Sequence, residues 1–195
     1  LANDNGPPSY RHLVMVGLGT LVATIVISLF AETTVRQVAN LGIALFLLVI
    51  IIAINVVFDI IGTAAAASRE APFHAKAAKK VFGAQHSVYL VRNRDKVANF
   101  TQDVIGDIAG IVAGALGIGL ITRVVLTHPD IDAIVFSVLI TAVIASLIVT
   151  GKAYGKRIAV RRATQIIFIV GKILAGFERL VFWRAEPGRR QRKSR

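Results

Sequence analysis

LGIALFLLVIIIAINVVFDIIG, residues 41–62, is the stretch that decides the fold. It runs 22 residues with only Asn55 and Asp59 breaking its apolar character. A helix crossing a bilayer core of about 30 Å needs roughly 20 such residues. Backbone polar groups cannot be left unsatisfied in lipid, so the spanning form is a helix. Three further stretches meet the same test. Residues 13–30 carry no charge, and residues 131–150 have one acid, Asp132, at their outer margin. Residues 100–121 are rich in Gly and Ala and hold Asp103 and Asp107 in their first half. The expected fold class is therefore all-α: a polytopic membrane protein with four transmembrane helices in residues 13–151.

A fifth apolar region, residues 163–183, contains Lys172, Glu178 and Arg179 and follows Arg161 and Arg162. Charges recurring at helical spacing suit a helix lying in the headgroup layer. Phe177, Phe182 and Trp183 at its end are residues of the membrane–water boundary. Residues 152–183 are accordingly read as an amphipathic juxtamembrane helix, and residues 184–195 as a basic tail.

Composition agrees. Of 195 residues 55% are hydrophobic and 17% charged, with a mean hydropathy of +0.67, against about 45–50% and about 25% in soluble domains. Cysteine is absent, which excludes disulfides, thiolate catalysis, zinc–thiolate sites and iron–sulfur clusters. The net charge of +12 comes from 23 Lys and Arg against 11 Asp and Glu, and its placement sets orientation. With four spans, the arm 1–12, the loop 63–99 and the region 152–195 carry twenty-one Lys and Arg between them, and the other side carries two. The positive-inside rule puts both termini and the central loop in the cytoplasm of a cell-membrane protein. Each Lys or Arg near an anionic leaflet contributes about 1 kcal/mol. The basic tail is thus explained by lipid, and no nucleic-acid partner is invoked.

In the central loop, Thr63 to Ser68 continues the second helix beyond the membrane. Pro72 can open a new helix at its first turn, running through the alanine-rich basic stretch from Ala75 to Phe82. Val88 to Val91 is a short apolar patch ahead of Arg92-Asn93-Arg94-Asp95-Lys96.

Ionisable groups inside spans cost about 2.5–3.5 kcal/mol at mid-helix, so by default they mark function. Asn55 and Asp59 stand i, i+4 on one face of the second span, and Asn99, Asp103 and Asp107 repeat that spacing on the third. Carboxylate and amide oxygens suit a hard cation such as Mg²⁺ or Ca²⁺. Hydration at the interface, or pairing with a lysine, is the structural alternative. Gly106, Gly110 and Gly114 make a doubled GxxxG on the third span, which lets helix backbones approach closely. Gly117 and Gly119 extend it.

Gly62-Thr63-Ala64-Ala65-Ala66-Ala67-Ser68, leaving a span ahead of a basic segment, resembles the exit motif of the CNNM/CorB family transmembrane domain. Arg92-Asn93-Arg94-Asp95-Lys96 resembles the approach to that family's next span. Thr150-Gly151-Lys152-Ala153-Tyr154-Gly155-Lys156-Arg157 is similar to its Gly-Glu-x-x-Pro-Lys-Arg pattern. The likeness covers roughly residues 41–183 and implies a dimeric membrane domain that handles Mg²⁺, with three spans and a juxtamembrane helix; residues 13–30 would be an addition. The chain departs from the pattern at Gly62 and Thr63, where the family has a serine and an acid. It departs again at Lys152 and Gly155, where the family has an acid and a proline, and at Asp107 and Ile108 in place of paired asparagines. Nucleotide-sensing domains of the kind that often follow are absent from these 195 residues.

His12, His74, His86 and His128 show no paired spacing, and there is no HExxH, Gly-x-Ser-x-Gly or P-loop. An enzyme is not expected. Two functions are weighed. In the first, Asn55, Asp59, Asp103 and Asp107 bind or move a divalent cation, with Mg²⁺ the expected ion, in a homodimer. In the second, a non-transporting scaffold or accessory subunit has its site closed by an internal Lys152–Asp pair.

Overall fold

The computed structural model describes residues 10–37 and 40–185. Expectations for the arm before residue 10 and the tail from 186 onward lie outside the described residues, as do the side chains of Phe182 and Trp183. The described chain is α-helical: α1 (Tyr10–Gln37), α2 (Leu41–Ala67), α3 (Ala71–Ala78), α4 (Ala84–Arg92), α5 (Arg94–Asn99), a π-helical segment (Phe100–Gly106), α6 (Asp107–Thr127), α7 (Ala133–Arg161) and α8 (Ala163–Ala185). Three stretches are long and apolar enough to cross a membrane: Leu41–Ala67, Arg94–Thr127 and Ala133–Arg161. They indicate a multi-pass membrane protein. In α1 the described apolar run is shorter, Gly17–Leu29.

Two compact units divide the chain. The first takes in α1, α2 as far as Val56, and Asp103–Gly151; the second takes in Val57–Gln102 and the chain from Lys152.

In the first unit α1 packs along α6. The core is a ladder at helical spacing: Ala44 and Leu48 of α2 meet Ile108, Val112, Leu116 and Leu120 of α6, with Ile144 of α7 and Ala23 of α1 against them. Glycine admits one of these contacts, because a Cβ on Gly117 would run into the Ile144 side chain. Outside the core the surface is apolar: Phe46 and Val49 on α2, and Val138, Leu139 and Leu147 on α7, are exposed. Only 6% of the most apolar window of α7 is buried. A soluble surface does not tolerate so continuous an apolar face, whereas lipid does. The α7 N-terminus is capped by Asp132, whose Oδ1 accepts from the backbone N–H of Ile134 at 2.9 Å and Val135 at 3.1 Å.

In the second unit α2 runs on through the alanines to Ala67, as expected, and Pro72 stands in the first turn of α3. That helix stops at Ala78, earlier than the expected Phe82, because Lys80 and Gly83 both take left-handed backbone (φ 52° and 80°). Val88–Val91 lies on α4. Phe73, fully buried, anchors a core with Ala64, Ala65, Leu90, Val91, Ala159 and Ile167.

The juxtamembrane helix differs from its expected bounds. Residues 152–161 prolong α7, and α8 begins only at Ala163 after a turn at Arg162. Alanine, lysine and arginine all favour helix, so α7 has no reason to end with its apolar run. One face of α8, Ala163, Ile167, Gly171 and Ala175, is buried against α4. A Cβ on Gly171 would fall 2.7 Å from the Gly83 carbonyl and 2.9 Å from the Ser87 nitrogen. Two backbones meet there, with Ser87 Oγ donating to Gly83 O (3.0 Å) and Ile167 O (3.3 Å). The opposite face of α8 exposes Ile169, Ile173, Phe177 and Leu180.

Candidate functional site

Polar residues buried in apolar helices are the informative ones. In the first unit Asn55 is 1% exposed. Its Nδ2 donates to the Gly106 carbonyl at 2.6 Å, and its Oδ1 has no partner. Gly110 makes room, since a Cβ there would stand 2.8 Å from Asn55 Nδ2. Gly110 therefore serves the approach of Asn55, while a Cβ on Gly114 would meet nothing within 4 Å. Gly106 is also the last residue of the π-helical segment. Such segments recur at functional sites, because they interrupt the regular hydrogen-bond ladder.

In the second unit Asp59 is 4% exposed. Gln102 Nε2 donates to Thr63 Oγ1 at 2.9 Å, and reaches Asp59 O at 3.4 Å and Asp59 Oδ1 at 3.5 Å. Lys156 Nζ stands 4.0 Å from Asp59 Oδ1, on a side chain 54% exposed. Asp59 Oδ2 has no hydrogen-bond partner. Gly62 allows this meeting of helices, as a Cβ there would collide with the side chains of Gln102 and Thr101. One carboxylate, an amide, a hydroxyl and an ammonium thus converge from α2, the π-helical segment and α7.

Asp103 and Asp107 are exposed on the surface of the chain, and Lys152 is half-buried. The lysine beside Asp59 is Lys156, one turn beyond Lys152. Among the described residues no three His, Asp or Glu side chains gather as a metal cluster. The arrangement can offer a cation one charged oxygen and several neutral ones.

Gln102 and Lys156 had no part in the sequence-based site. Gln102 is neutral and next to a more conspicuous acid. The π-helical segment turns Gln102, instead of Asp103, toward Thr63 and Asp59. Lys156 had a signal: it lies on the same α-helical stripe as Lys152, at i+4.

The chain matches no family model, no curated protein and no solved structure.

Proposed function

We propose that the chain is a four-span membrane protein, resembling the CNNM/CorB transmembrane domain, that binds or moves a divalent cation at Asp59. The observation that carries this reading is the buried Asp59 carboxylate with one oxygen unpartnered. A carboxylate buried in an otherwise apolar span costs several kcal/mol, and a fold retains it for use. Lys156 is its resting counter-charge. At 4.0 Å and half-exposed, the ammonium can swing into water when a cation arrives. A cation such as Mg²⁺ would take Asp59 Oδ2 together with neutral oxygens, and keep several of its waters.

Asp103 and Asp107 are exposed on a helix of spanning length, and charge facing lipid is costly. A second copy covering that face, as the family resemblance implies, or water lining it, would accommodate Asp103. α1 is the fourth span in this topology, with both termini cytoplasmic. Through its exposed apolar face, flanked by Lys172 and Arg179, α8 rests in the anionic leaflet.

The second reading is a scaffold in which Asp59 and Lys156 form a standing ion pair, favoured by their 4.0 Å approach. Thermal unfolding in detergent, with and without millimolar Mg²⁺, separates the two. Cation handling predicts a raised midpoint, lost in Asp59→Asn and enlarged in Lys156→Gln. No shift in either wild type or Lys156→Gln would leave the scaffold.

A further inference from the structure

Where α2 leads into α3 and α7 turns into α8, residues of the second unit border an open surface pocket of about 350 Å³. Arg69, Arg161 and Arg162 line it with Thr164 and Gln165, and none of its lining residues is acidic. The turn that sets two of these arginines is fixed on both sides: the Arg162 N–H donates to Ile158 O at 2.9 Å, and its carbonyl accepts from Gln165 and Ile166 at 3.0 Å. Glu70, the acid adjoining Arg69 in the chain, is directed elsewhere. Its Oε2 lies 3.2 Å from His74 Nε2 and 3.7 Å from Arg92 Nε. Ser68, next to Arg69, is 3% exposed and its hydroxyl has no hydrogen-bond partner.

Three solvent-exposed arginines lining one pocket, with no acidic residue in that lining, concentrate positive charge there. An anion entering the pocket would meet that charge without a competing carboxylate. The planar guanidinium fork matches phosphate oxygens bidentately, which an ammonium cannot do. A larger cavity of the same unit, about 590 Å³, is different in kind. It holds Lys80 and Arg179 but also Glu178, which bonds His86 at 2.7 Å.

We propose that the Arg69–Arg161–Arg162 cavity binds a phosphate group, carried by a soluble phosphorylated molecule or by a lipid headgroup.

Equilibrium dialysis of the full chain in dodecyl maltoside against radiolabelled inorganic phosphate, at low ionic strength where screening is weak, tests this. Wild type should retain phosphate. The double variant Arg161→Gln/Arg162→Gln should weaken retention at least about tenfold, as expected for losing charge-assisted hydrogen bonds. Arg69→Gln, on a different connection, should weaken it several-fold, and Arg69→Lys only partly restores it. Lys80→Gln/Arg179→Gln, at the larger cavity, should leave retention unchanged. No retention by wild type, equal retention by the arginine variants, or an equal loss at the larger cavity overturns the proposal. Helix content by circular dichroism confirms that each variant folds. The source of the phosphate is read in phosphatidylcholine vesicles containing about one part in ten phosphatidic acid, against the same share of phosphatidylglycerol. Reduced retention with phosphatidic acid supports a lipid monoester as occupant, and unchanged retention supports a soluble one.

Discussion

Asp59→Asn should make the protein more stable even as it removes the response to Mg²⁺. Two charges 4 Å apart interact by about 4 kcal/mol at an effective dielectric near 20, and by about 1 kcal/mol in water. Lys156 is 54% exposed, so its ammonium keeps much of its hydration and the coupling falls toward the aqueous end, about 1–2 kcal/mol. Removing a carboxylate from water costs several kcal/mol, and Asp59 recovers little of it. Oδ2 has no partner, and Oδ1 has only a long contact from Gln102 at 3.5 Å besides the lysine. The deficit is the free energy that a neutral amide would return, about 1–2 kcal/mol in favour of Asp59→Asn. Lys156→Gln works the other way, stranding the carboxylate, and should lose about 1–2 kcal/mol. The double variant completes a cycle with a coupling of about 1–2 kcal/mol. Chemical unfolding in detergent with a chelator present gives all four values. A destabilised Asp59→Asn, or a coupling within about 0.3 kcal/mol of zero, would refute the claim that an under-compensated charge is held here for use.

Two glycines of similar sequence context should behave oppositely. Gly171→Ala drives a methyl into the Gly83 and Ser87 backbone, which cannot yield as a flexible side chain would, and should cost about 1–3 kcal/mol. Gly114→Ala meets open space and should be neutral or stabilising by up to about 1 kcal/mol through helix propensity; unfolding midpoints in detergent compare them. Because the chain has no cysteine, single cysteines report topology directly. Labelling of intact cells with a membrane-impermeant maleimide should reach His128→Cys and spare Arg69→Cys and Arg161→Cys, and the reverse pattern would overturn the cytoplasmic placement of the central loop.

The spans were legible because lipid imposes one demand, a long run of apolar residues, and α2, α6 and α7 each satisfy it in sequence. Their true ends were less so. The continuation of α2 through Ala64–Ala67 was expected, but that of α7 through Lys156 to Arg161 was not, because helix propensity does not stop where hydrophobicity does. Nor does hydropathy show which face of α8 is covered, since both of its long faces are apolar. The small residues Ala163, Gly171 and Ala175, together with Ile167, go against α4, and the larger Ile173, Phe177 and Leu180 stay exposed. Close backbone approach selects for lack of bulk, which an apolarity scale ranks below leucine.

The site divides along the same line. Asn55 and Asp59 were legible because a polar group within an apolar run is an exception wherever it occurs, and both are buried. Their partners depend on the helix opposite, where spacing arguments assume 3.6 residues per turn. Phe100–Gly106 breaks that assumption. A π turn accommodates an extra residue, which rotates everything beyond it by roughly 100° relative to a regular α-helix. Gln102 takes the position facing Thr63 and Asp59, while Asp103 and Asp107 turn outward. The wider turn also presents the Gly106 carbonyl to Asn55 Nδ2. A chain that only needed to cross the bilayer would gain from regularising this segment. That Gln102 within this segment meets one buried carboxylate, and Gly106 at its end one buried amide, ties the distortion to the polar groups instead of to the crossing itself.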